Sequence, residues 1–127
     1  MKKKPPSLAA CLQSIALFAR LIRTDKVRSP RQIFDNSAYV KHFQEITQEK
    51  IALLVRNDPK LIDEWLQFSE DKRWTPAWAF GKQTRVRWEV AYIVPSGKAT
   101  YRVAFQDAVT ACAFMIRMEM EELRVNR

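Results

Sequence analysis

Glycine is almost absent from this chain: two residues in 127, Gly81 and Gly97. A phosphate-cradling loop needs several glycines at fixed offsets, so the usual nucleotide-binding loops are excluded. Histidine occurs once, as His42, and cysteine twice, as Cys11 and Cys112. A zinc site draws three or four such ligands at close spacing, and one His with two widely separated Cys does not make the usual ligand set, so no metal or cofactor is implied. Both cysteines sit among apolar neighbours on expected helices, which favours buried free thiols. A bridge between the first and last helices stays open. The carboxylate pairs Asp63-Glu64, Glu70-Asp71 and Glu121-Glu122 are adjacent residues. On a helix adjacent side chains point apart, so these make poor acid/base pairs. No nucleophile or paired carboxylate stands at an obvious spacing from His42, which reads as a partly exposed helix residue. The sequence therefore gives no support to an enzyme.

Long hydrophobic runs are missing too. The stretch from Leu8 to Ala19 follows Lys2, Lys3 and Lys4 and imitates a signal peptide, and Leu8-Ala9-Ala10-Cys11 imitates a lipoprotein cleavage box. Such a box needs a long apolar run before its cysteine, and here only Pro5-Pro6-Ser7 intervenes. Gln13, Ser14 and Arg20 interrupt the stretch, which is too short to span a bilayer. The expectation is a cytoplasmic protein with an amphipathic first helix and no membrane role.

What is present is apolar mass and positive charge. Apolar residues make up 47% of the chain, enough for one domain over 1–127 with a core, with residues 1–6 as a mobile basic end. Lys and Arg outnumber Asp and Glu by 22 to 14, a net charge of +8. That suits contact with an acidic protein or with nucleic acid and chooses neither.

The clearest pattern is a hairpin over residues 84–105. From Thr84 to Val94 the even positions read Thr, Val, Trp, Val, Tyr, Val, and Ala99 to Phe105 alternates again. Alternation of this kind gives one buried and one wet sheet face. With Pro95-Ser96-Gly97-Lys98 as the loop, Tyr92 faces Tyr101, Val90 faces Val103 and Trp88 faces Phe105. Such aromatic and β-branched pairs contribute about 0.2–1 kcal/mol each. Residues 77–82 are expected to add a strand, with Trp78 and Phe80 on one face.

Helices flank this sheet. Ser7 caps a first helix carrying Cys11, Leu12, Ile15, Ala19 and Ile22 on one face. Ser29-Pro30 starts a short helical turn. A helix from Asn36 or Ser37 to about Val55 is expected to point Phe43, Ile46, Leu53 and Leu54 inward. After Asn57-Asp58-Pro59 a helix packs Leu61, Ile62, Trp65, Leu66 and Phe68, ending near Ser69. Asp107 caps a final helix with two apolar stripes, one through Cys112, Ile116 and Met120, the other through Ala111, Met115 and Met118. Its last turns, with Glu119, Glu121, Glu122 and Arg124, are expected in water. Strands clustered after helices predict an α+β fold, a three-stranded antiparallel sheet whose aromatic face packs on the first and last helices.

Two candidate contact surfaces follow. Arg85, Arg87 and Arg102 are expected on the outer face of the hairpin, with Glu89 among them. Lys72, Arg73, Trp74 and Trp78 form a charged aromatic corner of the kind enriched at interface centres. The Met115/Met118 stripe offers a face for self-association. Nucleic-acid sheets of the stacking type place aromatics and arginines on one face, and here they are on opposite faces.

The pattern Ser69-x-Asp71-Lys72-Arg73-x-Thr75-Pro76-x-Trp78, a hairpin, Phe105-x-Asp107, then Ala111-Cys112-Ala113-x-x-Ile116-x-x-Glu119 resembles small bacterial immunity proteins of contact-dependent and related polymorphic toxin systems. The likeness covers residues 69–119. It implies a non-catalytic protein that binds and blocks a cognate toxin domain. A basic inhibitor would suit an acidic toxin surface rather than act as a nucleic-acid mimic. The alternative is a small basic nucleic-acid-binding accessory protein.

Overall fold

The last helix, α7 (Ala108–Val125), is the element the others are laid against. In the computed structural model, which describes residues 6–72 and 75–126, it meets α5 (Gln48–Asn57), α6 (Lys60–Asp71) and all three strands. Asp107 starts it, its carboxylate accepting the Thr110 N–H at 2.8 Å. Seven of its residues are buried: Ala111, Cys112, Ala113, Met115, Ile116, Glu119 and Met120. The alanines let neighbouring backbones come close, and the longer side chains fill the space between layers.

Among the described residues the order is α1 (Leu8–Ala16), α2 (Phe18–Thr24), α3 (Pro30–Asn36), α4 (Tyr39–His42), a 3-10 turn (Phe43–Glu45), α5, α6, β1 (Ala77–Thr84), β2 (Arg87–Ile93), β3 (Ala99–Phe105) and α7. This is an α+β fold with an antiparallel sheet in the order β1-β2-β3. The hairpin register is the expected one: Trp88 opposite Phe105, Val90 opposite Val103, Tyr92 opposite Tyr101. Gly97 closes the loop at φ +88°, a conformation L side chains rarely adopt. The caps at Ser7 and Ser29 also form as expected, the latter as a full capping box with Gln32.

Several expectations are corrected. Residues 84–94 are not one strand. β1 runs on to Thr84, the chain turns at Arg85 and Val86, and β2 begins at Arg87. A turn without Gly, Asn or Pro leaves no mark in an alternating pattern, so Val86 counted as a strand residue is in fact 73% exposed. The first helix bends at Leu17, and the helix expected over 36–55 is interrupted at Ile46 and Thr47. That interruption rotates α5, and Leu53 lies 54% exposed rather than inward. The sheet packs on α7 and α6; α1 packs instead on α5, α4 and α7.

The corner between α2 and α3 is tied by Asp25. Its carboxylate accepts the backbone N–H groups of Val27 and Arg28, both at 2.9 Å, and the Arg28 guanidinium at 2.6 Å. These hydrogen bonds, the backbone ones first, lower the group from the usual value near 3.8 to about 2. A folded value below the unfolded one means stability that is present above about pH 4 and lost as pH falls towards 2. Asp25→Asn should therefore flatten the acid limb of Tm against pH in that window. An unchanged limb would contradict the assignment.

Candidate functional site

The seven residues proposed from sequence do not form one surface. Lys72 is buried against Glu119 in an ion pair whose side chains are 3% and 5% exposed. Its ammonium also donates to the Trp78 carbonyl at 3.0 Å and lies 4.8 Å from the centre of the Phe68 ring. It therefore holds the frame together and does not face a partner. Glu119, expected in water, is 4% exposed for the same reason. Burial raises its affinity for a proton and Lys72 opposes that. Arg73 and Trp74 lie outside the described residues.

Arg85 sits in the β1–β2 turn and not on the outer sheet face. Arg87 opens β2 and is exposed. Arg102 on β3 does share the outer face with Glu89, and its guanidinium donates to that carboxylate at 3.0 Å. Small side chains adjoin it on that face: Ala79 and Ala91 lie in one row with Arg102 across the three strands.

Trp78 stands where side chains converge. The inner face of the sheet is longer than the part α7 covers, and at that end lies a shallow hollow of about 460 Å³. Trp78, Tyr92, Tyr101, Phe114, Met118 and Glu122 line it. The Trp78 ring lies 5.1 Å from Tyr92, 5.7 Å from Tyr101 and 6.1 Å from Phe114, centre to centre. Tyr101 remains 53% exposed, so the inner aromatic face is not wholly covered as expected. Glu122 forms the rim. Its Oε1 accepts the Tyr92 hydroxyl at 3.1 Å and the Asn126 amide at 2.7 Å. Partial burial, then the Glu122 contact, keeps the Tyr92 hydroxyl protonated beyond its ordinary range, so it acts as a donor.

Four of these six residues, Tyr92, Tyr101, Phe114 and Glu122, carry no contact role in the sequence reading. A signal existed for two of them, which share a line with Met118. Phe114, Met118 and Glu122 are spaced i, i+4, i+8 and mark one line down α7. Met115, grouped with Met118 as a face for self-association, is fully buried. The clasp of α7 between sheet and helices covers it, so that face is not free as drawn.

His42 and the two cysteines are engaged within the fold. His42 Nε2 donates to the Pro6 carbonyl at 2.8 Å. Both thiols are free and buried; burial pushes Cys11 up to about 11 and Cys112 further, which suppresses the reactive thiolate. Among the described residues no three His, Cys, Asp or Glu side chains converge as a metal site would require. No described helix is long and apolar enough to cross a membrane. Comparison with protein-family models, curated proteins and solved structures finds no match.

Proposed function

We propose that this chain is a non-catalytic binding protein of immunity type, which docks a cognate toxin domain through the hollow beside Trp78. The observation that carries the docking surface is Tyr101, a large aromatic half in water on the sheet face that is elsewhere the core side. Aromatic residues and Met are enriched at interface centres because they bury much area with little loss of side-chain freedom.

The residues that carried the resemblance fit this division of labour. Ser69 Oγ accepts the Phe80 N–H at 2.8 Å, Lys72 pairs with Glu119, and Asp107 caps α7. They brace the frame, and the hollow hangs on it through Trp78. A partner can thus be chosen by the lining while the frame stays the same.

Tyr101→Ala and Met118→Lys should each weaken capture of the partner from the native host by about tenfold or more, the loss typical of an interface hot spot. Neither should move Tm by more than a few degrees. A partner held equally well by both variants, or recovery of nucleic acid alone, would contradict the reading. Arg85, Arg87 and Arg102 carry the nucleic-acid alternative. It predicts binding that falls steeply with salt and is lost on Arg85→Glu and Arg87→Glu together.

A further inference from the structure

The lining of the hollow holds one charged side chain, and it is negative. That is unexpected in a chain with 22 Lys and Arg against 14 Asp and Glu. The rest of the lining is three kinds of aromatic ring and one thioether. Ring faces carry negative electrostatic potential, so together with a carboxylate they favour a cation. Trp78 meets Tyr101 at 84° and Phe114 at 88°, so the rings wall the hollow in two directions. Glu122 is held at the rim by Tyr92 and Asn126, both through Oε1. Its Oε2 accepts no hydrogen bond among the described residues, which leaves acceptor capacity on a carboxylate held in place through its other oxygen.

We propose that the hollow is a socket for one cationic side chain, an arginine, presented by the partner protein. This rests on the reading of the hollow as a docking surface. The planar guanidinium is weakly hydrated on its faces and rich in donors at its edge. Its faces suit Trp78 and Tyr101, and its edge suits Glu122 Oε2. A lysine ammonium is more strongly hydrated and has no flat face to stack. A phosphate or carboxylate would meet the charge of Glu122 with no cation in the lining to offset it. An aliphatic side chain would fill the space and leave the Glu122 acceptor shielded from water without a donor.

The test uses the whole chain labelled with nitrogen-15 and follows the Trp78 indole N–H by NMR, assigned with Trp78→Phe. The probe is N-acetyl-arginine methylamide, and its neutral isostere N-acetyl-citrulline methylamide is the control. The arginine probe should shift the Trp78 signal, and citrulline should bind about tenfold more weakly or worse. Glu122→Gln, which keeps an oxygen for Tyr92 and Asn126, should weaken the arginine probe by about threefold to tenfold and leave citrulline unchanged. No shift with arginine, equal shifts with both probes, or indifference to Glu122→Gln would overturn the socket. The two readings can fail separately. A partner lost on Tyr101→Ala but indifferent to Glu122→Gln overturns the socket and leaves docking intact. Arginine binding in the hollow, with a partner indifferent to Tyr101→Ala, overturns docking at this surface and leaves the socket.

Discussion

Lys72→Met should lower the stability of this protein by about 3–5 kcal/mol at neutral pH, the usual effect of removing one partner from a buried ion pair. The Glu119 carboxylate, 5% exposed as a side chain, would be left charged and without its counter-ion in a site too dry to solvate it. Lys72 also anchors β1 by donating to the Trp78 carbonyl, so the same change loosens the wall of the hollow. The pH dependence identifies the cause. Burial already raises the Glu119 pKa against the pull of Lys72, and without Lys72 it rises further. A folded value above the unfolded one gives stability that is present below the unfolded value near 4.5 and lost as pH rises through the folded value. The variant should therefore recover relative to wild type on acidification. Lys72→Met with Glu119→Met should recover most of the loss at neutral pH, because a packed apolar pair replaces a buried ionic one at little net cost. Urea unfolding at two pH values measures all of this. A double variant as unstable as the single one would show that the pair is not the cause.

The second large effect is expected at Trp65. This ring is fully buried, stacks on Phe18 at 6.1 Å and meets Phe68 edge-on at 5.4 Å. Its indole N–H donates to the Ala16 carbonyl at 2.9 Å, where α1 gives way to α2. Trp65→Ala should cost about 3–5 kcal/mol through lost burial and a residual cavity. Trp65→Phe keeps most of the apolar contact but leaves the Ala16 carbonyl without the indole, and should cost roughly 1–3 kcal/mol. Near-equal losses for the two variants would mean that the hydrogen bond, and not the volume, dominates. Losses below about 1 kcal/mol for Trp65→Ala would show that this joint does not support the fold.

Trp65 also explains why the bend at Leu17 was illegible. No Gly or Pro marks it; the carbonyl there finds its partner 49 residues away. The burial of Glu119 has the same character, since its partner Lys72 is distant in sequence and a glutamate near a helix end ordinarily reads as solvated. The β2–β3 register, the cap at Asp107 and the helix start at Ser29-Pro30 were legible because each is a local matter of alternation or spacing. The hollow was half legible. Trp78 and the tyrosines show in the alternation, but how far the sheet extends beyond α7 is a property of packing. Arg85 falls in a turn that the alternation hides, because residues 85 and 86 are not of the kinds that usually announce one.

The most direct test of the docking surface is a photo-reactive phenylalanine analogue placed at Tyr101 or Met118, with Leu53 on α5 and Arg87 on β2 as control positions, irradiated in the native host. One stoichiometric protein adduct is expected from Tyr101 and from Met118, and none from Leu53. Adducts confined to Arg87 or Leu53, or cross-links to nucleic acid alone, would contradict docking at this surface.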